Sequence, residues 1–192
     1  MTNNCILIRI EKKMGEENGF EILDNFIVFE GLDGSGTTTQ ASLLHEHLAS
    51  EGPVHLTCEP TDTFIGEAVR RILRGEEIVA PGTLAKLFAV DRHNHLFHPE
   101  HGIATLAEGG TTVISDRYFF SSLAYQSIDR PYEEIWELNQ YFPLPRHLIF
   151  LDITPQEGNL RLDARGNPRE VYERTELQEE VQTLQTEVGQ LY

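Results

Sequence analysis

Positive charge and cysteine are scarce in this sequence. The 192 residues include 15 lysines and arginines against 31 aspartates and glutamates, which gives a formal net charge of −16. Such a balance argues against a general role on nucleic acids or membrane surfaces, although a local basic cluster can still bind a small anion. The only cysteines, Cys5 and Cys58, form neither a disulfide framework nor a cysteine metal site, and they favour a reducing, cytoplasmic setting.

Long apolar runs are absent as well, and none approaches the length of a membrane span. The apolar segment Cys5–Ile10 is short and contains Arg9, and neither a positive region before it nor a cleavage site after it marks a signal peptide. We expect residues 1–24 to be an N-terminal extension, either poorly ordered or forming an extra edge strand. The main domain is expected to cover residues 25–192.

From residue 25 onward, apolar runs that predict strands alternate with amphipathic segments that predict helices. This order predicts a parallel sheet with helices on both faces, an α/β/α architecture. Ligands of such sheets bind beyond the carboxyl ends of the strands, where this chain carries glycines, Glu59, Asp116 and Arg117. The strand-forming runs lie within 25–31, 52–60, 111–115 and 147–155.

The last segment of the chain is expected to form a polar helix with one apolar stripe. A core-facing stripe is the preferred interpretation, because the run is too short for a typical coiled coil. The stripe consists of Leu177, Val181, Leu184, Val188 and Leu191.

The stretch "FEGLDGSGTTTQ", residues 29–40, is typical of a phosphate-binding loop between a strand and a helix. Main-chain N–H groups in such a loop converge on one point, and the helix N-terminus adds partial positive charge, so polyphosphate is the natural ligand. Thr38 stands where a hydroxyl can bind Mg²⁺. A flexible glycine turn without a ligand is the alternative. The predicted ATP-binding residues of the loop are Gly31, Gly34, Ser35, Gly36, Thr37, Thr38 and Thr39.

The loop lacks the lysine that the motif G-x-x-x-x-G-K-[ST] requires, because Thr37 occupies that position. A lysine there would reach the β- and γ-phosphates as a point charge. Removing one well-placed donor costs about 2.7–4 kcal/mol in the transition state, a loss of about 10²–10³-fold in rate. Nucleotide binding should suffer less, since the main-chain amides and the metal remain.

Other cations follow the last predicted strand. Arg161 and Arg165 lie one helical turn apart, and Arg169 follows a Gly-Asn-Pro turn. Guanidinium groups suit phosphate geometry and can stabilise a transferring phosphoryl group, so these arginines could replace the lysine in part. The alternative is a solvated basic helix face.

The sequence resembles the thymidylate kinase family over nearly the whole chain from about Asn25. The loop is similar to the family's E-G-x-D-G-x-G-K-T-T start. The most specific match is "VISDRYFFSSLAYQ", which fits V-[IV]-S-D-R-[YH]-x-x-S-S-x-A-Y-Q. Further matches in the family's order are "CEP", "IGEAVRRIL", "LFAVDRHNH" and "FLDITP". The resemblance implies a P-loop kinase fold whose parallel strands have the order 2-3-1-4. It also implies a lid at about residues 158–170.

The resemblance also implies how an acceptor nucleotide, dTMP, would bind. Phe88 would stack on thymine, as an aromatic face can. Arg92 would hydrogen-bond the base edge with help from Ser122 and Gln126, and Tyr125 would disfavour a 2′-hydroxyl. A single aromatic residue on a helix is more often part of a core, but that explanation does not account for the whole set.

The resemblance also implies roles for the charged residues. Arg70 and Arg117 would hold the acceptor phosphate, and Asp33 and Glu59 would lie near the acceptor sugar and the metal. Asp116 would act with Thr38 on Mg²⁺ or its water shell. The residues implied in catalysis are Asp33, Arg117, Arg161 and Arg165.

The chain departs from the family pattern at three places. Besides Thr37, Cys58 stands where many bacterial relatives have an arginine. The chain ends at Tyr192, where family members usually continue into a fifth strand, an adenine-contacting loop and a last helix. We therefore expect a truncated C-terminal part, without that strand. An exposed sheet edge would result, along which Cys5–Ile10 could pair, although no residue selects that pairing.

The histidines of "DRHNHLFHPEH" form a second cluster, which includes His93, His95, His98 and His101. A zinc site would require ligands on one face with supporting carboxylates, and Pro99 is expected to end the helix first. We expect these side chains to face solvent at a helix end.

The resemblance implies ATP- and Mg²⁺-dependent phosphorylation of dTMP to dTDP by a homodimer, with activity lowered by Thr37. A non-catalytic nucleotide-binding protein on the same fold is the main alternative, and a kinase for another nucleoside monophosphate is a third.

Overall fold

The computed structural model describes residues 4–9, 19–80, 82–166, 170–173, 178–179 and 181–182. In these ranges, five strands form one sheet: β1 (Asn4–Arg9), β2 (Ile22–Gly31), β3 (Val54–Cys58), β4 (Thr112–Asp116) and β5 (Leu144–Asp152). The α-helices with defined bounds are α1 (Thr37–Leu48), α2 (Phe64–Leu73), α3 (Thr83–Phe97), α4 (Ile103–Glu108), α5 (Phe119–Tyr125), α6 (Tyr132–Asn139) and α7 (Pro155–Arg165). No helix of the described ranges has both the length and the hydropathy needed to cross a bilayer.

The sheet has the strand order β1-β5-β2-β4-β3, and β2 pairs in parallel with β4 and β5, as β3 does with β4. Counted without β1, the four parallel strands have the order 2-3-1-4. The predicted fold class is therefore confirmed. Two strands begin earlier than expected, β2 at Ile22 and β5 at Leu144, because their first residues also pair with each other.

The N-terminal strand β1 covers the outer edge of β5 in antiparallel orientation. Asn4 lies opposite Asp152, and Arg9 lies opposite His147. Of the alternatives left open for this segment, the structure therefore contains the edge strand. Strand pairing uses main-chain groups that every residue shares, so the side chains could not have selected it.

Two apolar layers enclose the sheet. On one face, Phe26, Val28 and Val113 belong to a core that includes residues of α3, α4, α5 and α6. On the other face, Phe29 and Ile114 pack against Ala41 of α1. The three-layer arrangement brings the carboxyl ends of β2, β3 and β4 to one edge of the sheet, where the predicted site residues lie.

The polar segment near the C-terminus is described only in part. Residues 178–179 and 181–182 are helical, and Val181 is fully buried against Leu32 and Val69, as expected of a core-facing stripe. The remaining stripe positions, Leu177, Leu184, Val188 and Leu191, lie outside the described residues.

Candidate functional site

The loop between β2 and α1 presents main-chain N–H groups at the start of a twelve-residue helix. Its first helical hydrogen bond runs from the Gln40 N–H to the Gly36 carbonyl, 3.0 Å, so the N–H groups of Thr37, Thr38 and Thr39 precede the helical ladder. Within the described part of the chain, no side chain caps this helix end. Three converging donors and the helix dipole make the loop suited to an anion.

Two glycines let α7 pack directly on the loop. A Cβ on Gly34 would lie 2.6 Å from the Gly158 carbonyl oxygen, and one on Gly158 would lie 2.7 Å from the Asp33 carbonyl oxygen. One turn after Gly158, Arg161 Nη1 lies 3.2 Å from the carbonyl oxygens of both Gly34 and Ser35. The close approach of the two backbones therefore brings the Arg161 guanidinium to the loop.

The other lid arginines differ in position. Arg165 is exposed, and in the described ranges no hydrogen bond or ion pair joins it to the loop. Arg169 lies outside the described residues. Thr37, at the lysine position, is buried and only 5% exposed. Arg161 therefore contacts the loop itself. Arg117 does so as well, because its Nη1 donates to the Gly31 carbonyl oxygen at 2.9 Å.

The two predicted metal ligands lie side by side. The Thr38 hydroxyl donates a hydrogen bond to Asp116 Oδ2. Asp116 Oδ1 is buried and has no hydrogen-bond partner among the described residues. A buried carboxylate oxygen without a donor is unfavourable unless a cation is present, and hydroxyl and carboxylate oxygens are ligands that Mg²⁺ accepts. Thr38 and Asp116 therefore fit a magnesium ion.

A cavity of about 350 Å³ extends from this pair, within the size range of small-molecule sites. All nine side chains that the family resemblance assigns to the acceptor nucleotide line it, although they come from six different parts of the chain. These are Asp33, Glu59, Arg70, Phe88, Arg92, Arg117, Ser122, Tyr125 and Gln126.

Arg92 is the most buried cation of the cavity, with 1% exposure. Its Nε donates to Glu59 Oε2 at 2.8 Å, its Nη2 donates to Ser122 Oγ at 3.1 Å, and its Nη1 donates to Asn139 Oδ1. Glu59, expected near the sugar and the metal, is therefore bound to Arg92. Asn139 carries no sequence signal, because it lies on a short helix that periodicity does not reveal.

Arg117 and Asp33 form a second charged pair, with Nη2 2.6 Å from Oδ1. The other carboxylate oxygen of Asp33 accepts from Gln178 Nε2 at 3.0 Å. Arg117 itself has φ of 73°, a left-handed conformation that is unusual for a side chain of this size. The neighbouring ring of Tyr125 lies 5.4 Å from the guanidinium carbon. Both ends of the pair are therefore held in fixed orientations.

At the mouth of the cavity, Arg70 contacts Cys58 and Asp62. Its Nη2 lies 3.0 Å from Asp62 Oδ1 and 3.6 Å from the Cys58 sulfur. Burial raises the pKa of the Cys58 thiol above its ordinary value, so the thiol stays neutral. Cys58 therefore carries no charge, and Arg70 and Arg117 are the cations at this end of the cavity.

Known proteins match most of this chain. The family model for thymidylate kinase matches residues 29–191. A protein of Treponema pallidum is 41% identical over 158 residues, which are 82% of this chain and 76% of that protein. A protein of Methanococcus vannielii is 36% identical over 170 residues (88% and 80%), and one of Pyrococcus abyssi is 38% identical over 174 residues (87% and 83%). All three carry thymidylate kinase in their names. The chain belongs to the thymidylate kinase family.

One buried acid of this thymidylate kinase family member was not foreseen from its sequence. Glu30 is 2% exposed and accepts hydrogen bonds from the N–H groups of Tyr118 and Ser121, at 2.9 and 3.1 Å, and from the Ser121 hydroxyl at 2.6 Å. Burial raises the pKa of Glu30 to about 7. These bonds fix the turn that carries Arg117. The sequence does contain a signal for this buried acid, because Glu30 is an acidic residue inside the apolar run "FIVFEG".

The expected solvent exposure of the histidine cluster is wrong for His95. Its side chain is only 9% exposed and lies between Thr57 and Glu59. His93 and His101 are exposed, as expected. His95 follows Arg92 by three residues on α3, so both side chains face the sheet edge. Within the described residues, no three histidine, cysteine or acidic side chains form a metal-binding group.

Replacing Glu30 with glutamine should make folding stability less dependent on pH. The carboxyl has an ordinary pKa of 4.5 and a pKa of about 7 in the fold. Between these values the folded state holds an extra proton, so the natural protein loses stability as pH rises, by about 3 kcal/mol in total. Glu30→Gln lacks this titration and should retain stability over the same interval.

Urea unfolding at about pH 5 and about pH 8 measures the difference. Glu137→Gln, at an exposed position, is the matched control and should keep the natural pH dependence. The same pH dependence in Glu30→Gln as in the natural protein would contradict the role of burial.

Proposed function

We propose that this protein transfers the γ-phosphoryl group of ATP to dTMP, with Mg²⁺, and forms ADP and dTDP. The observation that carries the proposal is the single cavity that joins the nine acceptor-site side chains to Thr38 and Asp116 beside the phosphate loop. An oxygen of the acceptor phosphate attacks the γ-phosphorus in line while the bond to the β–γ bridging oxygen breaks. The protein positions the two nucleotides and neutralises phosphate charge, so no covalent intermediate is required.

On the donor side, the main-chain N–H groups of Thr37, Thr38 and Thr39 bind the triphosphate in this proposal. Arg161 lies against the loop, and Arg165 follows one turn later on α7. Both guanidinium groups would take over part of the charge neutralisation that a loop lysine supplies in other P-loop enzymes. Thr38 and Asp116 would hold Mg²⁺, which neutralises charge on the β- and γ-phosphates when bound.

On the acceptor side, Phe88 offers an aromatic face for thymine, and Arg92 and Gln126 offer polar groups for the base edge. Ser122 fixes Arg92 through its hydroxyl. Tyr125 stays neutral, because burial raises its pKa well above the ordinary value, and it occupies the space beside the sugar.

The acceptor phosphate would lie between two cations that the fold holds in place, Arg70 and Arg117. Asp33 orients Arg117 through the short contact of their side chains. Glu59 does the same for Arg92.

A second candidate is a non-catalytic nucleotide-binding protein of the same family. It is favoured by the two neutral side chains Thr37 and Cys58 at positions that are basic in many relatives. The lost lysine alone predicts turnover slower by about 10²–10³-fold.

We further infer that the protein is a cytoplasmic homodimer. Both cysteines are free thiols, which suits a reducing compartment.

The dimer is inferred from helix α3, which exposes Val90 and Phe97 seven residues apart on one face. Their exposed fractions are 52% and 45%. Such a stripe suits a second helix of the same kind. Sedimentation velocity should show a dimer that Val90→Asp dissociates, whereas a monomeric natural protein would contradict the inference.

A double-mutant cycle tests the enzymatic proposal. Purified protein is mixed with ATP, Mg²⁺ and dTMP, with dUMP and dCMP as alternative acceptors, and the diphosphate product is followed. Thr37→Lys should gain about 10²–10³-fold in turnover. Arg161→Ala should lose about 10–100-fold in the natural background and less beside the new lysine, because the two cations serve the same oxygens.

Two further single variants accompany the double-mutant cycle. Arg165→Ala measures the share of the second lid arginine. Arg130→Ala removes an arginine that pairs with Glu134 and should change nothing. If the natural protein and Thr37→Lys both stay at background while dTMP still binds, the non-catalytic candidate is correct. If Arg161→Ala loses the same factor in both backgrounds, the two cations act independently and compensation is refuted.

A further inference from the structure

The His95 side chain, 9% exposed, lies between Thr57 of β3 and Glu59. Glu59 lines the cavity of about 350 Å³ described above, which we call the acceptor cavity. The Nε2 of His95 lies 2.7 Å from the Thr57 hydroxyl on β3, and its Nδ1 lies 3.1 Å from Glu59 Oε1. The side chain of Glu59 is 3% exposed and that of Arg92 is 1% exposed. A hydrogen-bonded chain therefore runs from Thr57 through His95 and Glu59 to Arg92.

The chemistry of Glu59 fixes the direction of the hydrogen bond that it shares with Nδ1. The Glu59 carboxylate, paired with Arg92 at 2.7 Å, can only accept, so the imidazole Nδ1 donates to it. In the neutral ring Nε2 is then an acceptor, and the Thr57 hydroxyl donates to it. Every polar atom of the imidazole thus has a partner of the right kind.

The consequence for Glu59 is that its two oxygens have separate partners. Oε1 accepts from His95, and Oε2 accepts from Arg92 Nε at 2.8 Å. Without His95, Oε1 would lose its donor in a buried position, so the carboxylate would rotate or admit water. Either change would move the oxygen that orients Arg92.

Arg92 is sensitive to such a movement because little of its hydrogen-bonding capacity is unused. Of its five N–H groups, Nε donates to Glu59, Nη2 faces Glu59 and Ser122, and Nη1 donates once to Asn139. Within the described residues, one N–H of Nη1 is left for a ligand in the cavity. Its direction is set by the other contacts.

His95 lines a different cavity from the one that Glu59 and Arg92 line. This second cavity has a volume of about 560 Å³ and shares Thr38, Cys58 and Asp116 with the acceptor cavity. Truncating the ring would open a path for water from that second cavity to the carboxylate.

We propose that His95 is a positioning residue for acceptor recognition, which acts through Glu59 on the Arg92 guanidinium. The inference rests on the proposed function in taking dTMP as the acceptor. His95 itself touches neither nucleotide in this account. Its loss should therefore weaken dTMP binding and spare ATP.

The experiment compares variants along the chain of hydrogen bonds. His95→Leu removes both polar atoms, and the Kd and KM for dTMP should rise about 10–100-fold while KM for ATP stays unchanged. His95→Gln, which can donate to Glu59 and accept from Thr57, should restore most of the affinity. His47→Leu, at an exposed histidine of α1, is the control and should behave as the natural protein.

Calorimetry with dTMP separates this inference from the proposed function. If the natural protein binds dTMP and forms no dTDP, the enzymatic proposal fails and the dTMP affinities still test His95. Unchanged dTMP affinity in His95→Leu, or equal losses for dTMP and ATP, would overturn the inference, as would the absence of dTMP binding in the natural protein. Should His95→Leu not fold, Thr57→Val decides: weaker dTMP binding is expected, and natural affinity would refute the role.

Discussion

The main-chain N–H groups that precede α1 are the feature of the fold on which the proposed chemistry depends. Strand β2 ends at Gly31, and the loop leads into α1 through Gly36, whose φ is 97°. No side chain is needed for these donors, so the loop can keep its capacity for phosphate when the lysine is replaced. The packing of Gly158 against the loop adds a cation from α7, which the loop sequence itself does not contain.

The acidic character of the chain raises the question of how a doubly anionic acceptor could be accommodated. Each arginine of the acceptor cavity contacts a carboxylate, which orients the guanidinium before any ligand arrives. Such preorganisation reduces the ordering that binding would otherwise require. It also reduces the net positive charge, so local geometry matters more here than the charge of −16 for the whole chain. The three pairs are Arg70–Asp62, Arg92–Glu59 and Arg117–Asp33.

The sequence was most informative where local pattern and main-chain chemistry determine structure. Alternating strands and helices predicted the parallel sheet, and the rule that ligands bind at strand ends predicted that Glu59, Asp116 and Arg117 would meet. Contacts between distant residues with no periodic signal were not predictable. Asn139 and Gln178 reach Arg92 and Asp33 across 47 and 145 residues. For His95, the error came from treating four histidines as one surface group, although helical spacing places His95 on the same face as Arg92.

Calorimetric titration of the natural protein with ATP in magnesium buffer, alongside adenosine at the same concentration, tests whether the loop amides bind phosphate. Adenosine carries the base and sugar but none of the phosphates that the loop amides are held to bind. We expect a heat of binding for ATP, with a dissociation constant of about 1 μM to 1 mM, and none for adenosine. No heat with ATP, or equal affinity for both compounds, would contradict it.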